Sequence, residues 1–291
     1  YFRKVRLLKS GVLLALFGGR GMAALGPDSE VLWTYDEPAH HDVRELPNGT
    51  IYGLDRRARL MPEFHASRPL LDDRLYFLDP HGVLLGQVSV LRSLLDSPYA
   101  DEVRLTLSED IERNTQREEL VKKHYADRLA ADPSLVHKID EIGDIFHCNS
   151  ARVIGLEEAA AIPEFEAGWY LVSIRQLSAL VAIEVNEGFD GGVARWWKRG
   201  AWSKQHEATA LANGTILLFD NEGAGEAHSR VIEVDPTSGE IVWSYEGPPG
   251  VTFFSRVGGT CHRLLNGNTL VVESTAGMAY EVKRDGTCVW T

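Results

Sequence analysis

Leu211-Ala-Asn-Gly214-Thr-Ile-Leu-Leu-Phe219, then Arg230-Val-Ile-Glu-Val-Asp235-Pro-Thr-Ser-Gly239-Glu-Ile-Val-Trp243-Ser-Tyr245, spells out one structural unit. Asn-Gly and Asp-x-x-Gly are hairpin signals, because their tight turns need positive φ, which Gly and Asn tolerate. The flanking runs are β-branched or aromatic and of strand length. The stretch therefore reads as four antiparallel strands joined by short turns, closing on Trp-x-Tyr.

The same phrase recurs along the chain. Arg263-Leu-Leu-Asn-Gly267-Asn-Thr-Leu leads to Ala279-Tyr-Glu-Val-Lys-Arg-Asp285-Gly286-Thr-Cys-Val-Trp290. A first unit ends Asp28-Ser-Glu-Val-Leu-Trp33-Thr-Tyr35, and a second runs from Leu46 to Arg74-Leu-Tyr-Phe-Leu-Asp79-Pro-His-Gly82-Val-Leu-Leu85. A third carries Trp169-Tyr-Leu-Val-Ser-Ile-Arg175 and Leu180-Val-Ala-Ile-Glu-Val185. Four-stranded units at a spacing of roughly 40–50 residues read as blades of a propeller. The expected fold is thus all-β, a single β-propeller domain over residues 1–291 with five visible blades. A sixth is expected from residues outside either end. An irregular sandwich does not explain the repeated closing strand.

One segment, from about Val90 to Gly143, is charged and helix-prone. It reads as a helical insertion between blades, placed over one face of the ring, either decoration or a lid. His124 and His137 within it are expected to be solvated. Near the start, Arg3-Lys4-Val-Arg6 and Val12-Leu-Leu-Ala-Leu-Phe17 have the look of a signal peptide. The apolar run is shorter than the ~7–15 residues of such a core, and Leu8-Lys-Ser-Gly11 repeats the turn phrase. A strand pair is the better reading.

A formal net charge of −12 argues against nucleic acid as the main partner. No run has the length of a membrane span. Cys148, Cys261 and Cys288 form neither a disulfide framework nor a zinc motif, although Cys261 and Cys288 could pair. No Gly-x-x-x-x-Gly-Lys phosphate loop is present.

Histidines mark the candidate chemistry. His41 and His206 each stand seven residues before an Asn-Gly turn, Asn48-Gly49 and Asn213-Gly214. Equivalent positions in different blades converge on the central axis. His147, in Gly143-Asp-Ile-Phe-His147-Cys-Asn149-Ser150, also precedes an innermost strand, and Arg175 follows on the next strand of that blade. His40 is expected to support His41. His262 is out of register; His65, His81 and His228 fall in connections. Neutral imidazole serves as nucleophile, base or metal ligand, and no carboxylate stands out beside all three histidines to complete a metal site. The arginine points instead to an oxyanion, since guanidinium offers permanently charged donors in a fixed fork. A histidine nucleophile among such donors suits sulfuryl or phosphoryl transfer.

Ala-His40-His41-Asp, Asp144-Ile-Phe-His147-Cys-Asn149-Ser150, Ser173-Ile-Arg175 and Gln205-His206 with Leu-Leu-Phe219-Asp220-Asn221 resemble the arylsulfotransferase family. The blade phrases share the resemblance. It implies a six-bladed propeller with its site at the central channel. It also implies transfer of a sulfuryl group from a phenolic sulfate ester to a phenol, without a nucleotide donor or other cofactor and with no metal. By motif, His206 is the histidine transiently sulfated, and His41, His147 and Arg175 bind the sulfuryl oxygens. Asn149 and His40 are expected to line the substrate. The implied partners are an aryl sulfate and a phenol, and the implied compartment is extracytoplasmic or periplasmic. The alternative is a non-catalytic propeller that binds a small anion or a protein at the same mouth.

Overall fold

In a computed structural model, residues 2–66, 69–131, 143–223, 225 and 227–291 are described. Their strands form five four-stranded antiparallel sheets, each a meander in chain order. The first holds β1 (Phe2–Leu7), β2 (Leu13–Phe17), β3 (Gly21–Leu25) and β4 (Val31–Tyr35). The second holds β5 (Ala39–Glu45), β6 (Ile51–Leu60), β7 (Pro69–Leu78) and β8 (Leu84–Ser89). Two helices follow, α1 (Val90–Leu95) and α2 (Ala100–Ala131). The third sheet holds β9 (Cys148–Val153), β10 (Tyr170–Ile174), β11 (Ala179–Val185) and β12 (Gly192–Arg199), with a short helix α3 (Leu156–Ala161) after β9. The fourth holds β13 (His206–Ala210), β14 (Ile216–Asp220), β15 (Arg230–Val234) and β16 (Ile241–Tyr245). The fifth holds β17 (Thr260–Arg263), β18 (Thr269–Glu273), β19 (Met278–Val282) and β20 (Cys288–Trp290). The fold is a five-bladed propeller. The expected sixth blade is not among the described residues.

The repeated phrases build repeated turns. In the loop after each of β1, β5, β13 and β17, one amide bonds across the loop (Leu8 to Val12, Leu46 to Thr50, Leu211 to Thr215, Leu264 to Asn268). The turn glycine then bonds back to the same leucine carbonyl, with Gly49 at φ 87° and Gly214 at φ 90°. In three of the four, the preceding Asn (48, 213 or 266) accepts an amide two residues on. The strand pair at the start of the chain belongs to this set: Leu7 faces Leu13 across its turn.

Hydrophobic cores lie between successive blades. Leu14, Leu16, Tyr35, Ile51 and Tyr76 fill the space between the first and second, and Phe219, Val231, Phe253, Cys261 and Tyr280 that between the fourth and fifth. The closing-strand residues also reach the next blade. Trp33 sits against Gly82 in the Asp79–Gly82 turn of the second blade. Trp243 Nε1 donates to the Arg284 carbonyl, 2.8 Å, in the corresponding turn of the fifth. In the third blade the contact is made by Lys198, whose Nζ donates to the Thr237 carbonyl, 2.8 Å, in the turn of the fourth. Two phrases that look independent in sequence, Val-x-Trp and Asp-x-x-Gly, are therefore halves of one inter-blade contact.

Two helices, α1 and α2, occupy the described part of the insertion. Ser89 caps α1 by accepting the Arg92 amide, 3.0 Å. Val90, Leu91 and Leu94 of α1 and Val103, Leu107 and Ile111 of α2 are buried in the core shared by the second and third blades. Trp197 Nε1 on the outer strand β12 donates to Glu102, 3.0 Å, and Tyr99 Oη to the Arg195 carbonyl, 3.1 Å. The described turns are anchored at the outer edge of two blades. His137 and the side chain of His124 lie outside the described residues. No described helix is long and apolar enough to cross a membrane.

Candidate active site

Three inner strands deliver the histidines, each beside a residue forced into left-handed backbone: His41 (φ 56°), His147 (φ 51°) and Glu207 (φ 54°). Non-glycine residues rarely adopt this conformation, which costs of order 1 kcal/mol or more and clusters at functional sites. In the second and fourth blades it falls in a bulge of the inner strand, while His147 stands just before β9. In the second blade His40 pairs with Leu54 and Val43 with Gly53, so His41 and Asp42 have no ladder partner. In the fourth, His206 pairs with Phe219 and Thr209 with Leu217. Leu54 and Phe219 occupy the same place after their Asn-Gly turns, so the ladder counterpart of His206 is His40. The expected equivalence of His41 and His206 is off by one residue, because the second-blade bulge holds one more residue than the fourth.

The expected residues nevertheless converge. The His41 and His147 rings meet edge to face with centroids 4.8 Å apart, and His40 and His41 do the same at 5.1 Å. Arg175, just past β10, places its amide 3.4 Å from the His147 carbonyl. His206 lies within the electrostatic reach of both Arg175 and His147.

His206 is 7% exposed, and its Nδ1 stands 2.8 Å from Asn221 Oδ1. Asn221 Nδ2 donates to the carbonyls of Ser255, 2.6 Å, and Gly258, 2.7 Å. That fixes the amide flip, so Oδ1 must accept and His206 Nδ1 must carry the proton. The lone pair then resides on Nε2. Burial, opposed by Asn221 and helped by Arg175 and His147, depresses the imidazole to about 4, which keeps it neutral at physiological pH.

Two carboxylates stand behind the other rings. His40 Nε2 lies 3.0 Å from Asp73 Oδ1, off the line of the N–H, and His40 Nδ1 lies 2.9 Å from His41 Nδ1. Asp144 Oδ2 bonds His147 Nδ1 and also accepts from Arg56 Nη1, 3.1 Å. Burial raises Asp144, but His147 and Arg56 outweigh it and hold the carboxyl at about 2. The sequence offered no obvious carboxylate beside all three histidines; the structure places Asp144 beside His147 and Asp73 beside His40. Asp144 is only three residues from its partner, while Asp73 arrives from β7, the third strand of the second blade. Even so, no group of three or more potential ligands among the described residues could hold a metal ion.

A family profile described as Arylsulfotransferase (ASST) matches residues 22–291. The chain belongs to the arylsulfotransferase family. No curated protein matches it. Among solved structures, a protein of unknown function from Bacteroides caccae is 14% identical, with a TM-score of 0.54, covering 99% of this chain and 80% of its own. A catalytically inactive virginiamycin B lyase from Staphylococcus aureus, bound to quinupristin, is 7% identical at TM-score 0.50, covering 99% and 68%. A streptogramin B lyase is 8% identical at TM-score 0.52, covering 99% and 67%. At such identities the likeness is one of fold alone.

Against the arylsulfotransferase expectation, His41, His147, His206 and Arg175 are gathered at one place. Asn149 and His40 stand behind them. Asn149 Nδ2 donates to the Gln205 carbonyl, 2.6 Å, beside His206; His40, 4% exposed, is wedged between His41 and Asp73. Sequence reasoning missed Asp73, Arg56 and the part played by Asn221. Asn221 follows the strand that pairs with His206, so a strand-register argument could have found it. His262 is exposed and faces Arg152, Arg44 and Glu207 rather than the histidine group. Cys148, Cys261 and Cys288 are free thiols, so the possible Cys261–Cys288 pairing is not made.

Proposed function

We propose that this protein moves a sulfuryl group from a phenolic sulfate ester to a phenol acceptor through a sulfohistidine at His206, with no nucleotide donor. The observation that carries the reading is the fixed tautomer of His206. Asn221 Oδ1 accepts a hydrogen bond from Nδ1–H, so the lone pair of the neutral ring lies on Nε2, within the electrostatic reach of Arg175. In the first half-reaction Nε2 forms a bond to sulfur as the sulfur–oxygen ester bond breaks and phenolate leaves. Arg175 offers donors to the sulfuryl oxygens, with His147 alongside. In the second half-reaction a phenol oxygen attacks the same sulfur, the N–S bond breaks, and His206 recovers its lone pair. Such a scheme gives ping-pong kinetics.

Incubation with p-nitrophenyl sulfate and a phenol acceptor tests it, following p-nitrophenol release and the intact mass of the protein. Acceptor-dependent release and a sulfuryl adduct are expected with the natural chain, and His206→Ala should lose both. Arg175→Lys keeps the charge but not the fork, and turnover should drop about 10²- to 10³-fold. Neither release nor adduct across a range of aryl sulfates would leave an anion- or partner-binding propeller as the better reading.

A further inference from the structure

The hydrogen bonds around His40 and His41 distinguish their roles from that of His147. His40 is enclosed by Asp73, Arg56, Asp144, His147 and His41. Burial raises Asp73, but Arg56 and His40 more than compensate, and the carboxyl sits below its ordinary range. It is therefore an anion, and the nitrogen facing it, His40 Nε2, must bear a proton. Burial and Arg56 lower His40 itself, so the ring is neutral and its Nδ1 has only a lone pair to offer. At 2.9 Å, the Nδ1–Nδ1 contact needs one proton, and only His41 can supply it.

We propose that Asp73 and His40 are positioning residues that hold His41 with its proton on Nδ1, so that His41 Nε2 takes the hydroxyl proton of the acceptor phenol. The proposal rests on the sulfuryl-transfer reading and assigns the second half-reaction its base. As the acceptor oxygen bonds to sulfur, its O–H bond breaks and the proton passes to His41 Nε2. The N–S electron pair returns to His206. The resulting imidazolium at His41 then gives its proton to the released phenolate or to water, which closes the cycle. His147 is oriented differently, through a direct bond from Nδ1 to Asp144. His41 is instead oriented by the His40 ring, and the proposal gives it the removal of the acceptor's proton.

Two measurements on the full chain test this. Long-range ¹H–¹⁵N correlation on protein with ¹⁵N-labelled histidine reports the His41 tautomer directly. A protonated Nδ1 and bare Nε2 are expected, with that preference lost in His40→Phe or His40→Gln. The second is single-turnover discharge of the sulfuryl adduct to phenols of graded acidity. In His40→Gln, adduct formation should stay within a few-fold, while discharge to weakly acidic phenols should slow about 10²-fold and discharge to phenols already ionised should not. An Nε2-protonated His41 in the natural chain, or a loss in His40→Gln that ignores acceptor acidity, would overturn the relay. Absence of any adduct on the natural chain defeats the sulfuryl-transfer reading, and the tautomer spectrum still decides the relay by itself.

Discussion

Asn221 illustrates how much of the site is set by residues that need not touch a substrate. Its side chain spans His206 and two backbone carbonyls of the segment before β17. Asn221→Leu removes the acceptor that chooses the His206 tautomer and leaves two buried carbonyls without their donor. Stability should fall by about 1–3 kcal/mol, and adduct formation should fall much further than that loss explains; chemical denaturation and intact mass together check it. The depressed imidazole has a consequence for acid stability. A chain that unfolds lets His206 return to its ordinary 6.5 from about 4, so the unfolded state binds more protons in between. Its contribution is full above about pH 6.5 and is lost as pH falls towards 4, worth about 3 kcal/mol at most. His40 shifts in the same sense. Asp42 and Asp144, each held at about 2 against an ordinary 3.8, add a second loss below that range. Thermal melting followed from pH 8 to 2 should show both windows, and His206→Gln should flatten only the upper one.

At the scale of elements, the bulges decide where chemistry is placed. Gly53 lies mid-strand in β6, where the Asp42 carbonyl and the Tyr76 phenol crowd the position a Cβ would take. A side chain there would push against the bulge that carries His41. Gly53→Ala should cost about 1–3 kcal/mol through overpacking, and activity should suffer more than the melting temperature. Normal turnover in a folded Gly53→Ala protein would show that the bulge tolerates displacement. The turns opposite the site are built differently. They repeat the same Leu-x-Asn-Gly hydrogen bonds from blade to blade and were legible in the sequence, because each is closed by residues within five positions of one another.

Across the whole molecule, the axis is occupied by charge. Lys4 from the first blade meets Asp42 of the second at 2.7 Å and Glu207 of the fourth at 3.2 Å. Arg44 reaches Asp42 at 3.0 Å and Glu207 at 3.6 Å, and Arg152 of the third blade also pairs with Glu207. Asp42 and Glu207 directly follow His41 and His206, so the ion network adjoins the histidine group along the same strands. Four blades are tied through two carboxylates. Removing one partner of such a set strands the rest, and Glu207→Gln should lose about 3–5 kcal/mol. Denaturant titration checks this; a loss under 1 kcal/mol would mean that the network is bypassed by water.

What the sequence determined by itself is the part that repeats. Period-two strands, Asn-Gly and Asp-x-x-Gly turns and the Val-x-Trp closing strand specify blades, since each signal is local and physical. The histidine phrases likewise pointed to one mouth, because equivalent ends of inner strands converge in a ring. Tertiary structure alone decided the rest. A bulge changes the count between a turn and a side chain, so counting back from Asn-Gly paired His206 with His41 where the ladder pairs it with His40. Asp73 comes from the third strand of its blade and Arg56 from the second, while Asn221 reaches His206 from across a hairpin. Their partners lie 15 or more residues away or in another blade, at separations that no local pattern encodes. Those contacts select the tautomers, and with them which nitrogen is a base and which a donor.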